Sequence, residues 1–332
     1  MSRKNILLVS TAAIILLVIL CTAKLYANNV NNNDFVFTID GIPVANEEFN
    51  IFYQNNKAMT ANYFKTKYNI DYNAAFWTST YNGENPSDYA KQKAIDDLKK
   101  YKIEQLIMKE HQIIKDLSFD HFTENLEAEN KERRLKLENK EPIYGLTQFT
   151  KLQYYSYLHS NRYANLINSL MDSPAYSLND SVYREYYEKQ KQFYSKGFKL
   201  EGQLITTANA AYQTIFNSVK DGKQDSSNSA VIESMALDLQ EISKEDLIKR
   251  SLYELAIKLN ENEFSEIFPY NNMNAIFKLT KKQSLGYKSF EDVKSDVKKL
   301  YINDKIQQQL ADRLKTAKVI INQTAYDKLM FK

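Results

Sequence analysis

Asp34-Phe-Val-Phe-Thr-Ile-Asp-Gly-Ile-Pro-Val-Ala-Asn-Glu-Glu-Phe-Asn-Ile-Phe-Tyr53 is the stretch whose reading decides the fold of this chain. Phe35, Phe37 and Ile39 alternate with Val36 and Thr38 in an aromatic and β-branched run that predicts a strand. Asp40-Gly41 supplies the positive-φ pair that a two-residue hairpin requires, so a short returning strand follows. Asn46 is then placed to cap a helix. Glu47 and Glu48 in its first turn face the positive end of the helix dipole, and Phe49, Phe52 and Tyr53 follow on one face.

Upstream of this element, Arg3 and Lys4 precede a hydrophobic run from Ile6 to Cys21, broken only by Ser10 and Thr11. A signal-peptide core is roughly 7–15 residues and a spanning helix about 20, so a run of about 16 fits cleavage after Ala27 or a retained, tilted anchor. Basic residues before the run, and none until Lys24, place the N-terminus inside and the rest of the chain outside the cytoplasm. The reading favours an anchor at residues 1–27 over release. Cys21 is the one cysteine, which excludes a disulfide framework and a thiolate metal site. As a lipidation site it is disfavoured, because Leu20 stands where a small residue is usual; as one more apolar residue of the run it needs no special role.

The 332 residues carry 44 basic and 41 acidic side chains, interspersed along the chain, so no nucleic-acid partner is implied. Seven glycines and five prolines argue against phosphate-cradling loops and many-turned sandwiches, and helix is expected to dominate. Helical periodicity predicts one helix from Ser87 to Ile114, a second from about Phe119 to Asn139, and a third from Thr147 to just before Ser173-Pro174. The charged middle of the second helix reads as a solvated face and carries no catalysis. Twenty-four Tyr and 17 Phe exceed what a helical core of this size needs. Tyr154, Tyr155 and Tyr157 would suit a groove for unfolded chains, since tyrosine offers amphipathic area at low entropic cost; an aromatic stripe on a helix suits a core equally.

The turn at Asp40-Gly41 and the acidic-capped helix from Asn46 resemble the opening of the SurA/PrsA-type extracytoplasmic foldases. Phe76-Trp77 before Glu84-Asn85-Pro86, Glu129-Asn130 with Arg133-Arg134, and Ile143-Tyr144-Gly145 before a Tyr-rich helix are similar to one Gram-positive branch of that family. Tyr-Arg-Glu-Tyr-Tyr-Glu-Lys-Gln-Lys at 183–191 resembles the linker helix leading into a parvulin-type prolyl isomerase domain. Beyond it, a strand at Lys199–Thr206, helices at Ala208–Val219 and Lys244–Leu259, a polar loop at 223–229 and a strand at Asn274–Leu279 have the parvulin order.

The resemblance implies a mostly α chain with a small α+β domain. A helical SurA-like module at 34–175 would be completed by the C-terminal helix and strand at 285–332. A linker helix at 176–195 and a parvulin-like domain at 196–282 would be the insertion. It also implies that unfolded or exported polypeptides are the partners, with no cofactor and no metal. The parvulin site needs two histidines, yet His111, His121 and His159 all lie in the helical half. By alignment of the strands Gln203 and Ala275 occupy the two histidine positions, and Asp225 is the one acidic stand-in, in a loop where it reads as solvated. Function follows the site and not the fold, so the reading is a chaperone or foldase without efficient isomerisation. A working prolyl isomerase with an atypical site and a non-catalytic adhesion or scaffold protein remain as alternatives. No serine-hydrolase, zinc-protease, redox or dinucleotide motif occurs.

Overall fold

The computed structural model describes residues 35–223 and 229–329. Its elements are β1 (Phe35–Ile39), β2 (Ile42–Ala45), α1 (Asn46–Tyr68), α2 (Pro86–Glu110), α3 (Phe119–Glu138), α4 (Lys151–Met171), α5 (Asp180–Lys189), β3 (Phe198–Thr207), α6 (Tyr212–Lys220), β4 (Val231–Asp238), α7 (Leu247–Ala256), β5 (Phe268–Tyr270), β6 (Met273–Ser284), α8 (Phe290–Thr316), β7 (Val319–Ile321) and α9 (Gln323–Asp327). The chain is thus mostly α with two small antiparallel sheets. Among the described residues, those up to Ser177 and those from Lys299 onward form one compact unit, and Leu178–Lys298 form a second.

In the first unit Asp40 and Gly41 turn the hairpin with φ of 47° and 82°, the left-handed pair a type I′ turn demands. β1 is central, flanked by β2 and by β7, with Phe37 opposite Ile321 and Ile39 opposite Val319. The C-terminal strand is therefore part of the N-terminal sheet. Asn46 is not the helix cap: β2 keeps Ala45 extended by pairing it with Phe35, and α1 begins at Asn46 with Ala45 as a cap that offers no side chain. α4 likewise starts at Lys151 and not at Thr147. Buried Asn130 of α3 bonds both the Phe149 amide (2.8 Å) and its carbonyl (2.9 Å), which holds that residue outside the helix, and Thr150 with Gln153 closes a capping box. The core of this unit gathers Phe37, Phe49, Phe52 and Tyr53 with Leu98 and Ile103 of α2, Tyr155 and Leu166 of α4, and Ile302, Ile306 and Leu310 of α8.

In the second unit the strand order is β4-β3-β6-β5, all antiparallel. One face of the sheet, with Leu200, Leu204, Ala275, Phe277 and Leu279, packs on Leu252, Tyr253 and Ala256 of α7. The other face, with Ile205 and Ile276, packs on Ile215 and Phe216 of α6. Gly202 is required where β3 shifts register: a Cβ there would meet the Phe277 ring at 2.3 Å and the Lys278 carbonyl oxygen at 2.5 Å. β4 and β5 have no strand signature in the sequence. Only Leu237 of β4 is buried, so the edge strand lacks the in-out alternation that marks a half-buried strand. The segment read as a linker helix packs within this unit, where Lys294 pairs with Asp180 at 2.6 Å and the Arg184 guanidinium lies 4.3 Å from the Phe290 ring centre. The start of α8, up to Lys298, accordingly belongs to the second unit.

The N-terminal hydrophobic run with Cys21, and Asp225, lie outside the described residues. Among the described residues no helix is long and apolar enough to cross a membrane.

Candidate functional site

The tyrosines expected to line a groove are mostly interior. Tyr154 and Tyr155 are each 4% exposed. Tyr155 sits edge-on to Phe52 (5.0 Å) and Tyr101 (5.1 Å), and Tyr154 packs on Phe122 and Phe149. The correction follows from helical spacing: Tyr155 leads the stripe that continues through His159, Tyr163, Leu166 and Leu170, and that stripe faces the core. Tyr157 is the exception. It is exposed, stacked 4.9 Å from Phe149 and 6.1 Å from Tyr154.

Within the same helices lies a buried polar cluster. The Lys102 ammonium meets Glu48 Oε1 at 2.8 Å with both side chains almost wholly buried, and the Tyr155 hydroxyl donates to the same oxygen at 2.9 Å. Burial and the adjoining Glu48 carboxylate hold the Tyr155 hydroxyl far above its ordinary pKa, so it stays a donor. Nearby, His159 Nε2 is 3.2 Å from Glu104 Oε2. Burial, with Lys100 and Arg162 close by, lowers His159 to about 4, while burial raises Glu104. His159 is therefore neutral at neutral pH, and its contact with Glu104 is not an ion pair there. The cluster ties helices together and has no exposed nucleophile. Its sequence signal was Lys102, four residues from Leu98 and four from Leu106 on an otherwise apolar stripe.

Gln203 and Ala275, expected at the two parvulin histidine positions, do not face each other. Gln203 pairs with Lys278 and Ala275 with Thr206, so the two residues point to opposite faces of the sheet. Ala275 is fully buried beneath α7, and its methyl group has no acid-base chemistry. Gln203 shares its face with Ile205 and Ile276, on the α6 side.

Apolar surface is accessible in this unit at Phe193, at Val231 and Ile232 of β4, and along α7, where it adjoins clefts. Asp246 caps the helix by accepting from the Lys249 amide at 3.0 Å, and Leu252, Tyr253 and Ala256 turn inward. Leu247, 69% exposed, and Ile248, 49% exposed, are left on the outer side. Leu247, Ser251 and Leu255, one helical stripe, line two clefts. The first, of about 360 Å³, is closed on its far side by Phe268, Pro269 and Tyr270 of β5. The second, of about 690 Å³, is rimmed by Arg250, Glu254, Lys258 and Glu266. Each has room for a large apolar side chain. Tyr270, raised by burial, is the one lining group of the first cleft with a displaced pKa, and no histidine occurs after His159. The arrangement suits binding of apolar side chains, with polar and charged groups at the margin. Sequence periodicity found α7 but gave no sign that its first turn is uncovered.

No family model matches the chain, and no curated protein does. Solved structures similar to it are SurA-like chaperones and PrsA foldases. One, from the study of the SurA-like chaperones PEB4 and Cj1289 of Campylobacter jejuni, is 16% identical with a TM-score of 0.33, covering 87% of this chain and 99% of that chain. PrsA from Streptococcus pneumoniae is 13% identical with a TM-score of 0.24, over 76% of this chain and 97% of that one. PrsA from Bacillus subtilis is 15% identical with a TM-score of 0.19, over 74% and 87%.

Proposed function

We propose that this protein is an extracytoplasmic chaperone or foldase that holds unfolded or exported polypeptides by their apolar side chains along α7 of the second unit. It does so without efficient prolyl isomerisation. The observation that carries the reading is the pair of apolar clefts on either side of the Leu247, Ser251 and Leu255 stripe, with Leu247 and Ile248 exposed beside them. No histidine lines these clefts, and neither Gln203 nor Ala275 does, so nothing in them matches the histidine pair that the parvulin resemblance calls for. The hydrophobic run after Arg3 and Lys4 supports export, with the N-terminal segment as the membrane attachment.

The test is aggregation of a chemically unfolded client in the presence of the full chain. Suppression at an equimolar ratio is expected, together with its loss in the Leu247→Asp/Ile248→Asp variant and with proline-peptide relaxation at the uncatalysed rate. Unimpeded aggregation at every ratio rejects the chaperone reading. Catalysed relaxation rejects the non-catalytic part.

A further inference from the structure

A small cleft in the first unit has a different character from the apolar clefts above. It is bounded by α1, α2, α3, α4 and the segment 114–118, and its mixed lining includes Glu48, Gln105, Asp116, His121, Tyr155 and Arg162. Glu48 is 1% exposed. Its Oε1 receives both Lys102 and Tyr155, while its Oε2 has no hydrogen-bond partner among the described residues. Gln105 Oε1 is buried and equally without a partner. Gln105 also lies beside the Tyr155 hydroxyl. Arg162, half-buried, also lines the cleft and makes no hydrogen bond or ion pair with any described residue. Residues with two buried acceptors and one half-buried donor thus line one space, and leaving a buried carboxylate oxygen unbonded costs on the order of 1–3 kcal/mol or more.

We propose that this cleft is the binding site of one structural water, which donates to Glu48 Oε2 and Gln105 Oε1 and accepts from the Arg162 guanidinium. The cleft volume is about 20 Å³. A water needs roughly 10–15 Å³ and makes about three hydrogen bonds when buried, so both size and bonding match. Charge selects among occupants. A cation would meet Lys102 and Arg162, and an anion would meet the bare Glu48 oxygen with Asp116 at the rim, whereas a neutral molecule with two donors and an acceptor meets each group with its complement. The water joins α1, α2 and α4 through one oxygen atom.

A crystal structure of the full chain, at a resolution that reveals ordered water, is expected to show one peak within hydrogen-bonding distance of Glu48 Oε2, Gln105 Oε1 and Arg162. A dry cleft, or the guanidinium bonded directly to Glu48 Oε2, overturns the proposal. A double-mutant cycle adds a readout in solution. Gln105→Leu and Arg162→Met should each raise the unfolding equilibrium constant about 3- to 10-fold, and together by less than the product, because the second change acts on a water already deprived of a partner. Effects that multiply fully would mean that the two side chains share no occupant, and would contradict it.

Discussion

The two units of this chain use their apolar and polar residues in opposite ways. The first is rich in aromatics and buries many of them, though not Tyr72, Tyr144 or Tyr157, around a carboxylate-ammonium-phenol cluster at Glu48, Lys102 and Tyr155. The second has a thinner core, one sheet with a helix on each face, and leaves leucine and isoleucine uncovered on α7. The difference teaches that aromatic abundance does not locate a binding surface. A tyrosine ring suits a core as well as a groove, and helical spacing decides which it serves.

The largest effect that would break this comparison is expected in the polar cluster. Glu48→Ala strands the Lys102 ammonium in the interior and should destabilise the first unit by about 3–5 kcal/mol, the usual cost of removing one partner of a buried pair. Chemical denaturation of the full chain measures it, and a loss below about 1 kcal/mol would mean that solvent reaches Lys102. In the second unit, Gly202→Ala forces a methyl group into the Phe277 ring and the Lys278 carbonyl and should cost about 1–3 kcal/mol, read as an earlier transition of that unit alone.

His159 gives a pH signature confined to the first unit. Its folded pKa of about 4 lies below its ordinary 6.5, so the unfolded chain binds the extra proton first. Stability should therefore rise with pH from about 4 to about 6.5 and be lost as pH falls through that window, by roughly 2–3 kcal/mol in all. Glu104 acts with the opposite sign. Its raised pKa contributes stability at low pH that fades as pH rises above the ordinary glutamate value. His159→Phe should flatten the acid limb of a denaturation series, leaving the weaker Glu104 trend. An unchanged limb would show that His159 does not set it. The smallest structural effect belongs to the groove: Leu247→Asp with Ile248→Asp should change stability by about 0.5 kcal/mol or less, since both side chains face outward, while abolishing client protection.

Much of the architecture was legible in the sequence, for identifiable reasons. The positive-φ pair Asp40-Gly41 fixed the hairpin, and the apolar stripes of α2 and α8 set their faces. β4 escaped notice because an edge strand with one buried residue has no alternation to read. The start of α4 was misplaced by a tertiary contact, since Asn130 holds Phe149 from nineteen positions away. At the candidate site the absence of histidine after residue 159 was plain in the sequence, but the opposed directions of Gln203 and Ala275 depend on the register of β3 against β6. The exposure of Leu247 and Ile248 depends on which neighbours α7 lacks, a property that periodicity cannot carry.

The comparison between the units is tested most directly by crosslinking. A photoreactive side chain would be placed at Leu247 in one preparation of the full chain and at Tyr157 in another, each mixed with the same unfolded client. The account predicts client adducts from position 247 and background levels from 157. Adducts from 157, with none from 247, would contradict it and return the binding surface to the aromatic helices.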